Sequence, residues 1–315
     1  MTYITGQPIA ASDYMGFRGV NAPDTAYINS SVATDAVAAL VGVGYGSRGY
    51  GQTTTIIPQV TTGQVILASQ WNYLYAAMAI INIHTGSGLS LPVNVSAGQI
   101  IQAQNGGSLP NLPALVATLD VNRLTYSIGQ MAVTAELTSV LTTVWPAPSV
   151  THEFTATVGT ENAARYFFNT GGTIYMSASR IGGSATELNT AMSSLLTQMG
   201  TITIGATTTS YTGSGGTVYP IGYYSLTTTY QTVFTHYGSD FGYTAISYSI
   251  QARVENIAGV NGGNGTIIRL RAIFSTGAAY GYYTSLDGTL TSTIQQLSTD
   301  VLTITVPNYV TTVPL

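Results

Sequence analysis

Three histidines are the first candidates for acid–base or metal chemistry. His84, His152 and His236 lie in three separate segments, and neither an HExxH motif nor a paired-histidine spacing accompanies them. A zinc site or a general base needs several polar groups that converge on one point. We therefore interpret each histidine as a structural residue and predict no metal site and no cofactor.

Carboxylates are the second candidates, because a glycan hydrolase places two of them around one cleft. The C-terminal half includes Asp240, Glu255, Asp287 and Asp300. Their spacing brings no two of them together. We predict no catalytic residue, and an embedded depolymerase is the weakest of the functional alternatives.

A glycine-rich stretch, VGVGYGSRGYGQ at 41–52, is the third candidate, because glycines can cradle a phosphate. The phosphate-binding motif GxxxxGK[ST] requires a lysine after the glycines, and this chain has no lysine. We interpret the stretch as a tight loop that packs against the helix of Trp71.

The chain is unusually poor in charge. Charged residues make up 6% of its 315 residues, against about 25% in ordinary proteins. A surface with few charges does little to repel copies of itself, so this composition is typical of an assembly subunit.

Composition also argues against several partners. A net charge of −4 with scattered arginines disfavours nucleic-acid binding. No apolar run reaches the length of about 18 residues that a membrane helix needs, and the N-terminus lacks a signal-peptide pattern. We expect no nucleic acid, no membrane insertion and no Sec export. Without cysteine the chain has no disulfide framework.

Two prolines, Pro146 and Pro148, interrupt regular structure and predict a domain boundary. Residues 1–148 form an N-terminal domain of helices and Gly-rich loops in this prediction. A helix is predicted at 28–40, ending before Gly42. A second is predicted at 69–83, where residues three and four apart share one face, namely Trp71, Leu74, Met78 and Ile81.

Residues 149–315 follow a two-residue alternation that is typical of half-buried strands. It predicts a strand at 151–158, a hairpin of 164–169 with 173–180, and a long hairpin of 245–257 with 266–275 in which Glu255 faces an arginine. Further strands are predicted at 289–295 and 301–306. One helix is inserted at 184–199, with a capping box of Ser184 and Glu187. The fold class is mainly β with some α, a small helical N-terminal domain followed by a β-sandwich.

Two sets of sequence blocks resemble a known family. The first set is GYGQ at 49–52, VTTGQVILASQWNYL at 60–74 and NIHTG at 82–86. The second set is ARYFFNTGGTIYMSASR at 164–180, NTAMSSLLTQMGTITIG at 189–205 and GTLTSTIQQLSTDVLTITVP at 288–307. These sets resemble the N-terminal and C-terminal modules of structural proteins of tailed bacteriophages, especially those infecting cyanobacteria. The sequence departs from the family after SDY at 12–14, where an extra stretch precedes the glycine loop. The resemblance implies a location in the virion and no known chemistry.

Tyrosines concentrate in the last third of the chain. Tyrosine rings bury much area and keep a hydroxyl for hydrogen bonding, which suits interfaces. The alternative is that they fill the sandwich core. The candidate interface or receptor contacts are Tyr223, Tyr224, Tyr230, Tyr237, Tyr282 and Tyr283.

The leading hypothesis is a virion structural protein of the tail, baseplate or fibre. The N-terminal half would dock to the particle, and the β domain would pack against other copies, with a homotrimer as the expected state. A receptor-binding adhesin that contacts host surface glycans is one alternative. A head or neck decoration protein is another.

Overall fold

The computed structural model describes residues 14, 58, 60–97, 112–122, 131–142, 144–145, 148–258, 263–277, 285–299 and 306–312. The helix predicted at 28–40, the loop at 41–52 and all but the last residue of the strand at 301–306 lie outside these ranges. The helices are α1 (Ala68–Thr85), α2 (Leu112–Val121), α3 (Glu161–Asn169) and α4 (Glu187–Met199). The strands are β1 (Met131–Leu141), β2 (Ser149–Thr157), β3 (Thr173–Ile181), β4 (Ile202–Ile204), β5 (Thr209–Tyr211), β6 (Thr217–Val218), β7 (Gln231–Tyr237), β8 (Ser247–Glu255), β9 (Ile267–Ser275), β10 (Thr289–Thr299) and β11 (Asn308–Thr312).

Helix α1 confirms the helix predicted at 69–83. The predicted face of Trp71, Leu74, Met78 and Ile81 is buried, and it shares a core with residues of α2. The helix begins at Ala68 without a side-chain cap on Leu67; instead, the Gln70 side-chain oxygen accepts from the Leu67 N–H at 2.7 Å.

Two antiparallel sheets confirm the prediction of a mainly β fold with some α. One sheet has the strand order β1-β10-β3-β4-β5 and the other has the order β11-β2-β9-β8-β7-β6. Their inner faces share one core, which includes Phe154 and Leu270 from the six-stranded sheet and Met176 and Ile294 from the five-stranded sheet. The arrangement is that of a β-sandwich.

The strands predicted from alternation are confirmed in the six-stranded sheet. Strands β2, β8 and β9 each alternate buried and half-buried residues over their lengths. Strands β8 and β9 form the predicted hairpin, with Arg253 opposite Arg269. Glu255 contacts an arginine across that hairpin, as predicted.

The predicted hairpin of 164–169 with 173–180 is wrong in its first arm, which is helix α3. Thr160 caps this helix by accepting from the Ala163 N–H at 3.1 Å, and Glu161 occupies its first turn. The Phe167 carbonyl accepts from the Gly172 N–H at 2.9 Å, so the NTGG turn ends a helix before β3 begins. Aromatic residues buried on nearly every side of α3 gave the segment its strand-like composition.

The start of helix α4 also differs from the prediction. Its N-cap is Thr186, whose hydroxyl accepts from the Asn189 N–H at 3.2 Å, and the helix begins at Glu187. Ser184 does not cap it, because its hydroxyl donates to the Asp287 carboxylate at 2.7 Å. The predicted end at Met199 before Gly200 is confirmed.

Strand β1 lies before the domain boundary predicted at residue 148. It pairs with β10 along nearly its whole length, with a bulge between Thr134 and Glu136. The β-sheet structure therefore extends back to Met131.

Helix α3 contacts both cores, because Tyr166 packs with α1 and α2 while Phe167 and Phe168 pack in the sandwich.

Candidate contact surface

The outer face of the six-stranded sheet collects the charged residues of three adjacent strands. Alternation directs the apolar residues of β2, β8 and β9 inward, so the residues between them face outward. In a chain with so few charges this concentration is notable, since three of the eight arginines lie here. We call the following set the outer-face cluster: Glu153, Tyr230, Arg253, Glu255, Arg269 and Arg271.

Strand register places like charges next to each other, and the Glu255 carboxylate offsets their repulsion. Arg253 stands directly opposite Arg269, a pairing that is unfavourable by itself. The Glu255 carboxylate accepts from both, at 2.6 Å from Arg253 and 2.9 Å from Arg269. The hydrogen bond from Arg269 is the main reason that the pKa of Glu255 is lowered.

A second ion pair lies one row away along the same strands. Glu153 on β2 stands opposite Arg271 on β9, and the arginine Nε donates to the carboxylate. Arg269 also donates to the Thr155 hydroxyl at 3.1 Å. Each carboxylate of the cluster is therefore paired with at least one guanidinium.

Tyr230 completes the cluster with an aromatic ring. The guanidinium carbon of Arg271 lies 3.8 Å from the ring centroid, and that of Arg253 lies 4.8 Å from it. Both distances are within the range of a cation–π interaction. Tyr230 is half-buried, so the ring holds the two arginines in place while part of the cluster faces solvent.

This geometry suits recognition better than acid–base catalysis. A general acid needs a carboxyl whose pKa is raised toward neutrality, whereas the pKa values of Glu255 and Asp287 are both lowered. Planar guanidinium groups and an aromatic ring suit hydrogen-bonded contact with a protein surface or with sugar hydroxyls.

The other predicted tyrosines have different environments. Tyr237 lies at the end of β7 and is 62% exposed. Tyr282 and Tyr283 lie outside the residues that the structure describes. Tyr223 and Tyr224 are adjacent residues, and both have raised pKa values caused by burial.

The prediction that Tyr223 is a surface contact is wrong. Its side chain is fully buried and stacks on Phe168 with ring centroids 4.4 Å apart. Its hydroxyl donates to the Gly265 carbonyl at 2.8 Å and accepts from the Asn264 N–H at 3.1 Å. The hydroxyl of the half-buried Tyr224 donates to the Asn169 side-chain oxygen at 2.8 Å. These rings fasten α3 to the sandwich, which is the core role that was the alternative reading of the tyrosines.

Histidine positions agree with a structural role. His152 is fully buried between the sheets, with its Nδ1 2.8 Å from the Ser292 hydroxyl oxygen, and burial lowers its pKa to about 4. His236 is also buried, and burial lowers its pKa. His84 lies on α1. Within the described part of the chain, no group of three His, Asp or Glu side chains could hold a metal ion.

Asp287, one of the carboxylates considered for catalysis, forms hydrogen bonds that connect three elements of the fold. It accepts from the Ser184 backbone and hydroxyl, from the Asn189 amide and from Arg180, whose guanidinium lies 3.2 Å away. These bonds tie the start of β10 to the end of β3 and to α4. Asp240 lies in a short 3-10 helix, and Asp300 lies outside the described residues.

Sequence reasoning identified Glu255 and its arginine partner but missed the rest of the outer-face cluster. The signal for Glu153 was available, because it occupies an outward position between the buried His152 and Phe154. Tyr230 carried no such signal, since it precedes β7 and meets the arginines only through the pairing of β7 with β8.

Comparisons of the chain with protein-family models, with curated proteins and with solved structures found no match. In the described ranges no helix combines the length and apolar character needed to cross a membrane.

Proposed function

We propose that the protein is a structural component of a tailed-phage virion, in the tail, baseplate or fibre, and that it acts by protein–protein assembly and not by catalysis. The observation that carries this proposal is where the phage-like blocks fall. The blocks at 164–180, 189–205 and 288–307 contain most of β3 and all of β4 and β10. These strands are neighbours at the centre of the five-stranded sheet.

The N-terminal phage-like blocks that the structure describes lie at α1, which with α2 forms what we call the helical unit; the block at 49–52 lies outside the described residues. The blocks at 60–74 and 82–86 span the approach to α1, its first turns and its end at Gly86. Resemblance in both parts supports a role for the whole arrangement. In this proposal the helical unit docks to the particle, and the sandwich contacts neighbouring subunits.

Copy number in purified particles tests the location. Quantitative mass spectrometry of virions from the phage that encodes this chain should find it in tens of copies per particle. Hundreds of copies would favour a decoration protein of the head or neck. Absence from the particles would contradict a virion role.

The outer-face cluster and the exposed Tyr237 favour a receptor-binding adhesin as the second candidate. The adhesin function predicts that the purified protein binds host cells or lipopolysaccharide, and that Tyr230→Ala with Tyr237→Ala removes this binding. Tyr175→Ala is the matched control, because Tyr175 lies half-buried on β3 of the other sheet. Equal losses for both variants, or no binding by the unaltered protein, would contradict the adhesin function.

A further inference from the structure

The loop between β8 and β9 contains an asparagine followed by a glycine, Asn264 and Gly265. Such a pair is chemically labile, because glycine has no Cβ to shield its backbone nitrogen from the side chain before it. The Gly265 nitrogen can attack the Asn264 side-chain carbonyl carbon and form a cyclic imide, and Nδ2 leaves as ammonia with the proton of the attacking N–H. Water then opens the imide to aspartate or isoaspartate. The net reaction takes up one water and releases one ammonia.

The fold requires both residues of this pair. Gly265 has a φ of 90°, and a Cβ at this position would lie 2.5 Å from the Glu255 carbonyl oxygen. Asn264 supplies two hydrogen bonds from one nitrogen, because Nδ2 donates to the Leu226 carbonyl at 2.8 Å and also to the Tyr223 carbonyl. The loop therefore needs an asparagine and a glycine side by side, and their order makes it labile.

A buried carboxylate holds the attacking nitrogen. The Gly265 N–H donates to Glu161 Oε1 at 3.2 Å, and the same oxygen accepts from the Ala258 N–H at 2.8 Å. Glu161 belongs to the first turn of α3 and is 7% exposed. The nitrogen must lose its proton in order to attack, and a negative charge beside it disfavours that loss. Glu161 therefore opposes the first step of deamidation.

Hydrogen bonds also hold the group that is attacked. Besides the two bonds from Nδ2, the Asn264 N–H donates to the Tyr223 hydroxyl at 3.1 Å, so both the side chain and the backbone of this residue are fixed. The amide has to turn before its carbon meets the Gly265 nitrogen. Turning breaks hydrogen bonds in a part-buried site, which costs free energy. Attack therefore requires the loop to open first.

The product of deamidation does not fit this site. An ionised aspartate has only acceptors, so the Tyr223 and Leu226 carbonyls would lose the donor that they share and would face a negative charge. An isoaspartate also lengthens the backbone by one methylene. Both products loosen the segment of Tyr223, whose ring stacks on Phe168 of α3. A chain that is deamidated while unfolded therefore refolds to a less stable state.

We propose that Asn264 is a deamidation site that folding protects, and that Glu161 is the residue that protects it. Time spent unfolded then converts the protein, irreversibly, to a less stable form. The site is independent of the proposed function, so its tests use the purified full chain. Their results can be read whether or not the protein is found in virions.

The rate of deamidation in folded and unfolded protein is the first test. The full chain is incubated in mildly alkaline buffer with and without urea, and samples are digested with trypsin, which cuts after Arg253 and Arg269. Fragment masses distinguish Asn264 from the other asparagines of this peptide. Deamidation at Asn264 should be at least about tenfold slower in the folded chain, because it follows the open population. Equal rates with and without urea would overturn the proposal.

Substitution of Glu161 tests the protecting group. In the folded protein Glu161→Ala should raise the rate at Asn264 by about tenfold or more, because the Gly265 N–H loses its acceptor. Glu187→Ala is the matched control, since Glu187 occupies the same position in the first turn of α4 and is exposed. An unchanged rate in Glu161→Ala, or an equal rise in both variants, would contradict the role of Glu161.

Circular dichroism and urea unfolding show whether Glu161→Ala folds. If it does not, Glu161→Gln takes its place, because glutamine keeps an acceptor oxygen and removes only the charge. This variant should show a smaller rise in the folded-state rate. A rate equal to that of the unaltered folded protein would exclude the negative charge as the protection.

The effect of the product is tested with Asn264→Asp. This variant should unfold at a lower urea concentration than the unaltered protein, because a carboxylate replaces the donor to two carbonyls. Asn256→Asp is the matched control, because Asn256 lies in the same loop and is exposed. It should keep the urea midpoint of the unaltered protein. Equal midpoints for the two variants would contradict the claim that deamidation yields a less stable form.

Discussion

Helix α1 has an exposed stripe, which we call the outward row: Ser69, Tyr73, Ala76, Ile80 and Ile83. Its chemistry differs from that of the outer-face cluster of the six-stranded sheet. The row is apolar and has no charge, whereas the cluster gathers three arginines and two glutamates around one ring. The charges of the cluster are largely satisfied by one another. By contrast, the large apolar side chains of the row, Tyr73, Ile80 and Ile83, are exposed in the described part of the chain.

The difference separates a surface whose charges pair within the single chain from one whose large apolar side chains are exposed in the described part of the chain. Ion pairs at a half-exposed surface add little to stability but keep that surface hydrated and specific. An exposed apolar stripe gains free energy only when another apolar surface covers it.

The largest effect should come from the inner face of the sheet. Phe154→Ala should lower the free energy of unfolding by about 3 to 5 kcal/mol, because the side chain is fully buried and its removal leaves a cavity. Thr151→Ala, at an outward position of the same strand, should change it by no more than about 0.5 kcal/mol. Urea unfolding measures both, and comparable losses would remove the distinction between the two faces.

Acid should destabilise the sandwich through His152. Burial lowers the pKa of this ring from 6.5 to about 4. Between these pH values the His152 ring binds a proton in the unfolded chain but stays neutral in the folded chain. The free energy of unfolding therefore falls as pH falls from about 6.5 to about 4. The loss should be about 3 kcal/mol, because each unit of pKa difference corresponds to about 1.4 kcal/mol.

His152→Gln tests this dependence. The variant should be less stable at neutral pH and should show a flatter stability profile between about pH 6.5 and pH 4. His236, whose pKa is also lowered by burial, leaves a residual slope. Urea unfolding curves across this pH range measure the dependence of the free energy of unfolding on pH. If the variant keeps the dependence of the unaltered protein, His152 is not its cause.

Tyr223→Phe should have a smaller effect, confined to one hydroxyl. The change leaves the Gly265 carbonyl and the Asn264 N–H without their buried partner, at a cost of about 1 to 3 kcal/mol. Tyr219→Phe, at an exposed ring, should be neutral in the same urea assay. An unchanged free energy of unfolding in Tyr223→Phe would show that these two hydrogen bonds do not stabilise the fold.

The smallest effect should come from the outer-face cluster. Glu255→Gln should cost less than about 1 kcal/mol, because the ion pairs are half-exposed and screened by salt. The difference between variant and unaltered protein should shrink in 1 M salt, where screening extends to only about 3 Å. A loss comparable to that of Phe154→Ala would mean that the cluster holds the sandwich together.

Much of this fold could be predicted from the sequence, and the failures have physical causes. Alternation located β2, β8 and β9 because each buries one face only, and three-four spacing located α1 because its buried row is apolar. Helix α3 was missed because the NTGG turn that follows it has the residue types of a hairpin turn, and because its N-cap, Thr160, lies before the segment that the hairpin prediction covered.

The candidate surfaces were harder to predict than the elements. Tyr223 and Tyr230 are the same residue type a few positions apart, yet one is buried on Phe168 and the other lies under two arginines. Strand pairing and helix packing decide that difference, and neither is encoded in the local sequence. The outward row was present in the sequence, but only burial of the opposite row shows that it faces away from the core.

Immunogold electron microscopy of the phage particle, with an antibody against residues 149–315, tests the central claim most directly. The proposed function predicts gold particles at the tail, concentrated at its tip. Gold spread over the head would instead support the decoration role, and particles that carry no gold at all would contradict a structural role in the virion.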